Sequence, residues 1–175
     1  MMRLFIGLGL PNNARDALYG AVAALGIRGR MTRRENYHVT LAFLGEHDEK
    51  RKAIENAMTA AARACAPFPL TVTGFGYFGR RDNALLYAKL AASQPLQALA
   101  DTLRQRLSGA GEPFDDKPFA AHITLARKAD LTAVDLQTPL PPITFTAARV
   151  TLYHSARVQG ILRYRPVFEA RSGKR

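Results

Sequence analysis

Two tetrapeptides of one pattern, His38-Val39-Thr40-Leu41 and His122-Ile123-Thr124-Leu125, each place a histidine and a threonine two positions apart in an apolar run. Side chains alternate between faces along an extended strand, so His38 and Thr40 share one face while Val39, Leu41 and Phe43 share the other. His122 and Thr124 repeat this against Ile123 and Leu125. At ordinary usage a given histidine is followed by Val or Ile, then Thr, then Leu with odds on the order of one in a thousand. One copy alone reads most simply as a hydrogen-bonded core histidine. Two copies among four histidines point to chemistry.

Histidine is the side chain that gives or takes a proton near neutral pH without special tuning. Cleavage of a phosphodiester needs a base on the nucleophile's side of phosphorus and an acid on the leaving oxygen's side, roughly in line. Two walls carrying one imidazole each meet that demand. A threonine hydroxyl on the same face can donate to a nonbridging phosphate oxygen.

The surrounding elements repeat as well. Arg3 to Leu10 reads as a strand, and after Pro11-Asn12-Asn13 the helical spacing of Ala14, Leu18, Val22 and Leu25 predicts a helix to about Leu25, followed by the motif strand Tyr37 to Leu44. Ala84 to Leu90 reads as a second strand, Ser93 as the cap of a helix striped by Leu96, Leu99, Leu103 and Leu107, and the second motif strand starts near Ala121. Between these units Asp48 opens a helix with Ile54, Met58, Ala61 and Cys65 on one stripe, and Leu70–Phe78 forms a strand. Ile143–Tyr153 and Gly160–Phe168 complete the strands, with Pro139, Pro141 and Pro142 marking the loop before a C-terminal hairpin. Strand, helix, motif strand thus occurs twice, which predicts an α+β fold. Two pseudo-symmetric lobes of mostly antiparallel sheet would carry helices on their outer faces and a central cleft between them.

The 175 residues fit a single bilobal domain, 1–175, with 47% apolar residues to fill it. A formal charge of +11, mostly from arginine, predicts an anionic partner. The lone cysteine, Cys65, excludes an internal disulfide and fits a reducing compartment. Leu4–Leu10 faintly imitates a secretory signal but is short and ends in a helix start, and no run approaches the roughly 18 apolar residues of a membrane span. Cytoplasmic localisation is therefore expected. There is no Gly-x-x-x-x-Gly-Lys-[Ser/Thr] loop, no His-Glu-x-x-His and no Cys-x-x-Cys, which lowers the expectation of ATP-driven ligation or of the common zinc sites.

The residues resemble the two-histidine (2H) phosphoesterases, and within them the RNA 2′,3′-cyclic phosphodiesterases, also called 2′-5′ RNA ligase-like proteins. The resemblance rests on Arg3-Leu4-Phe5-Ile6, on Asn36 to Gly45, on Phe119 to Arg127, and on Thr151-Leu152-Tyr153 with Gly160 and Tyr164. It implies hydrolysis of a terminal 2′,3′-cyclic phosphate on RNA to a 2′-phosphomonoester, with no metal and no cofactor, by a monomer, and in some relatives 2′-5′ ligation. It also implies that His38 is the proton donor and His122 the proton acceptor. Thr40 and Thr124 then bind substrate, and Arg127 matches an arginine often seen after the second motif. Strict alternation puts Arg127 on the sheet's back, so a twist or bulge must turn it round. Relatives commonly carry proline before the second histidine, where this chain has Ala121. Arg28-Gly29-Arg30, Arg33-Arg34 and Arg80-Arg81 are candidate guides for an RNA backbone, and Tyr37, Phe119 and Tyr164 are candidates for stacking on a base. His47 and His154 read as surface histidines. The rival readings are a noncatalytic RNA-end-binding module, and the same chemistry on another cyclic phosphate or a 2′-5′ oligonucleotide.

Overall fold

A computed structural model describes residues 1–173. The elements run β1 (Met2–Gly9), α1 (Asn12–Leu25), β2 (Arg28–Met31), a short 3₁₀ turn (Arg34–Asn36), β3 (His38–His47) and α2 (Lys52–Arg63). There follow β4 (Phe68–Arg80), β5 (Asn83–Leu90), α3 (Gln94–Gly109), β6 (His122–Asp130), β7 (Ile143–Ala147), β8 (Arg149–Val158) and β9 (Ile161–Arg171). The architecture is α+β with antiparallel pairing, as the patterning predicts.

The strands form one sheet in the order β7-β4-β5-β6-β3-β1-β8-β9, with β2 laid on β6. The order reads alike from its centre outward: β3 and β6 carry the motifs, β1 and β5 flank them, β8 and β4 follow, β9 and β7 close the ends. The two halves meet at the β3–β6 seam, where the ladder pairs Val39 with Ile123 alone. One residue, Ala148, joins β7 near one end of this order to β8 near the other. So short a link requires the sheet to curl until its ends approach each other.

The helices form because apolar residues recur at helical spacing and find one face of the sheet. Leu18 and Val22 of α1, Ile54 and Met58 of α2, and Leu96, Leu99, Leu103 and Leu107 of α3 are buried together with Val39, Leu41, Ile123 and Leu125 on the motif strands' backs. Each such leucine or isoleucine contributes about 1.5–3 kcal/mol. Ser93 caps α3 as predicted, its side chain accepting from the Leu96 amide at 3.2 Å.

Three elements differ from the sequence reading. α2 starts at Lys52, because the Asp48 carboxylate takes the Lys50 amide at 2.8 Å in a turn of its own; Cys65 lies just past the helix end at Arg63. Ile143–Tyr153 is two strands broken at Ala148, serving opposite ends of the sheet. β2 was not anticipated, since all four of its residues are exposed and it shows no alternation. Gly29 permits it: a Cβ there would meet the Ala129 Cα at 2.8 Å.

Candidate active site

Both motif strands contain the same irregularity. β1 pairs Gly7 with Thr40 but Ile6 with Ala42, leaving Leu41 as an extra residue. β5 pairs Tyr87 with Thr124 but Leu86 with Ala126, leaving Leu125 extra. In each strand two consecutive side chains, Leu41-Ala42 and Leu125-Ala126, are therefore buried at 0% exposure, and the alternation beyond them is inverted. This corrects the placement of Phe43 on the apolar back: it is 39% exposed and lines the cleft. The same inversion turns Arg127 onto the histidine face, by the bulge its position required. Phe43 and Arg127 are thus counterparts, each five residues beyond its histidine.

His38, Thr40, His122, Thr124 and Arg127 all line a single cleft of about 1090 Å³. Each imidazole is pinned by the carbonyl two residues upstream: His38 Nδ1 lies 2.7 Å from Asn36 O, and His122 Nδ1 lies 2.7 Å from Ala120 O. Nδ1–H donates in both, so in the neutral rings Nε2 carries the lone pair. His38 Nε2 accepts from the Thr40 hydroxyl at 2.8 Å. Among the described residues His122 Nε2 has no such partner.

The rings sit in different surroundings. His38 lies 4.7 Å from the Phe5 ring and 5.2 Å edge-on from Tyr164. Burial pushes its pKa down to about 4 against the opposing pull of the Asn36 carbonyl, with His122 and Arg127 adding to the depression. One edge of the ring nonetheless lines the cleft. Gly7 makes the approach possible, since a Cβ there would meet Val39 O at 2.6 Å and the His38 ring at 3.4 Å. His122 is edge-on to Phe78 and Tyr87, at 5.4 and 5.6 Å.

The cleft wall is cationic. Arg3, Arg30, Arg33, Arg104, Lys117, Arg127 and Arg157 line it, with Asp115 as its acidic member. The basic clusters divide: Arg30 and Arg33 face the cleft, Arg34 pairs with Asp16 at 2.7 Å, Arg80 pairs with Asp82, and Arg81 donates to Leu131 O and Val134 O. Tyr37 is 2% exposed in the core, which removes it as a stacking residue, while Phe119 and Tyr164 line the cleft. His47 lies outside the cleft, 2.9 Å from Glu112 Oε2. His154 also lies outside it.

Asn36, Phe43, Phe78 and Arg104 were missed by the sequence reading. Asn36 is 6% exposed, and its amide donates to Leu162 O at 3.0 Å while accepting from the Tyr164 amide at 3.4 Å, tying His38's anchor to β9. Its place at the head of the first motif stretch, a polar residue just before an apolar strand, was the signal for it.

A model of the 2′-5′ RNA ligase superfamily matches residues 20–159, a span containing both motifs. The chain belongs to this superfamily. An RNA 2′,3′-cyclic phosphodiesterase of Escherichia coli K12 is 32% identical over 169 residues, covering 94% of this chain and 93% of that protein. One of Geobacillus stearothermophilus is 33% identical over 129 residues, 71% of this chain, and the match spans 41% of that longer protein. The crystal structure of E. coli LigT complexed with 3′-AMP superposes with a TM-score of 0.79 at 29% identity, covering 99% of both chains. The 2′-5′ RNA ligase superfamily member described here shares with that structure its whole described fold. No helix among the described residues is long and apolar enough to cross a membrane.

Proposed function

We propose that this chain is an RNA 2′,3′-cyclic phosphodiesterase that opens a terminal cyclic phosphate to a 2′-phosphomonoester. The observation that carries this reading is the pair of imidazoles, one from each half, pinned at Nδ1 and presenting Nε2 to one cationic cleft. The superfamily and relatives bearing that activity in their names support it.

In the proposed reaction the cyclic phosphate sits between the rings. His122 Nε2 takes a proton from water as its oxygen attacks phosphorus, and the P–O3′ bond opposite breaks. His38 protonates the departing 3′ oxygen, leaving a 3′-hydroxyl and a 2′-phosphate. Thr40, Thr124 and Arg127 hold the nonbridging oxygens as charge gathers on them. To bind phosphate, Thr40 turns its hydroxyl away from His38 Nε2, freeing that nitrogen. The phosphate's negative charge then raises the His38 pKa and favours the imidazolium needed for the acid step. Arg3, Arg30 and Arg127 have no acidic or carbonyl partner among the described residues and are the natural ligands of the RNA phosphates. Both halves of the cleft lie on one chain, which fits a single bilobal domain acting as a monomer, and a cytoplasmic location is part of the same reading.

The test is to incubate the purified protein with an oligoribonucleotide ending in a 2′,3′-cyclic phosphate, with and without EDTA, and identify the product. The reading expects a 2′-phosphate, undiminished by chelator, with a bell-shaped dependence of kcat/KM on pH. A 3′-phosphate would reverse the assignment of the leaving oxygen. Binding without turnover would make this an RNA-end-binding module instead.

A further inference from the structure

Among the described residues Arg104 of α3 is the one cleft-lining cation whose donors reach the backbone of both motif regions. Its Nε donates to Leu41 O at 3.1 Å, the carbonyl of the extra residue in the β3 bulge. Its Nη1 donates to Lys117 O at 2.7 Å, in the segment that leads into β6. The same guanidinium lies over the rings of Phe114 and Phe119, at 5.6 and 5.9 Å. Phe119 directly precedes Ala120, whose carbonyl pins His122. A second tie runs in parallel: the Asp115 amide donates to Phe43 O at 2.8 Å.

We infer that Arg104 is a positioning residue that sets the register between the two histidine motifs, holding the Ala120 carbonyl on His122 while fixing the bulge beyond Thr40. The inference rests on the phosphodiesterase reading for its kinetic consequences and on the geometry alone for its structural ones. Arg3, Arg30 and Arg127 differ in kind, for they have no protein acceptors among the described residues, whereas Arg104 spends its fork on the main chain. A planar guanidinium can reach two carbonyls in different directions and still present its face to aromatic rings. An ammonium offers a single point of charge and cannot do all three. Within the sheet β3 meets β6 only at Val39 and Ile123 and β2 pairs with β6 further along, while Arg104 joins β3 to the segment leading into β6 from outside the sheet.

The test compares Arg104→Ala and Arg104→Lys with the unaltered protein by NMR of the histidine rings and by steady-state kinetics on an oligoribonucleotide with a 2′,3′-cyclic phosphate end. In Arg104→Ala the His122 ring signals shift and broaden while those of His154 do not, and kcat falls about ten- to a hundredfold. KM stays within about twofold, because no phosphate ligand has been removed. Arg104→Lys falls between the two. Unmoved His122 signals overturn the inference whatever happens to turnover, and a raised KM at unchanged kcat makes Arg104 a phosphate ligand instead. Should the alanine variant fail to fold, Arg104→Gln, which keeps one donor, gives the same comparison. The ring signals need no substrate, so an unaltered protein that fails to turn over this RNA sinks the phosphodiesterase reading and leaves the Arg104 comparison legible.

Discussion

The two halves of the sheet share a backbone device and differ in what surrounds it. In both, a carbonyl two residues upstream fixes the imidazole, and a bulge at the motif's leucine turns the fifth residue beyond the histidine into the cleft. In the first half that fifth residue is Phe43, and His38 is packed among aromatic rings with its Nε2 on Thr40. In the second it is Arg127, and among the described residues His122 Nε2 has no partner. A repeated scaffold thus supplies equal positions, while burial and neighbouring charge make the positions unequal. Such inequality is what a reaction needs when one imidazole must release a proton as the other takes one up.

The comparison breaks most sharply when either imidazole is removed. His38→Ala and His122→Ala each lower kcat/KM about 10²- to 10⁴-fold on an RNA cyclic phosphate, and each abolishes one limb of the pH profile. Loss of the same limb in both variants would show that the halves are not specialised. Exchanging the counterparts ranks next. Arg127→Ala costs about 10²- to 10³-fold, chiefly in kcat, by removing charge stabilisation from the transition state. Phe43→Ala costs about five- to tenfold, chiefly in KM, the loss expected of one stacking contact.

Proton linkage sharpens the contrast further. The His38 pKa of about 4 lies below the ordinary 6.5, so between those values the unfolded chain binds more protons. The stability conferred by its neutral ring is complete above pH 6.5 and is lost as pH falls toward 4. Urea unfolding measured across that window should show a slope that His38→Asn reduces. His47 has the opposite sign: the hydrogen bond its ring donates to Glu112, with help from the Asp48 carbonyl, raises its pKa, so its contribution is complete below 6.5 and fades as pH rises through the elevated value. Glu112→Gln removes about 1 kcal/mol, seen at pH 5 and shrinking as pH rises through the elevated His47 pKa.

What the sequence revealed followed physical periodicity. His38, Thr40, His122 and Thr124 were legible because two-residue alternation survives up to the leucine of each motif, and the helix faces because their apolar stripes are unbroken. The bulges were not legible. Leu41-Ala42 and Leu125-Ala126 are apolar pairs like any other, and only the register of the neighbouring strand reveals that one residue in each strand is unpaired. Phe43 was consequently assigned to the wrong face, and Arg127 needed a turn that nothing local announced. β2 escaped because an exposed, arginine-rich strand has no apolar face to alternate. Arg104 escaped because its partners are carbonyls, which every residue has.

The atoms that orient both imidazoles belong to the peptide backbone at positions 36 and 120. No exchange of side chain at Ala120 deletes that oxygen, so a scan by alanine would pass over it, and sequence drift at this site leaves the acceptor intact. Such an anchor is inherited with the path of the chain and not with its letters, and only changes that bend the path can remove it.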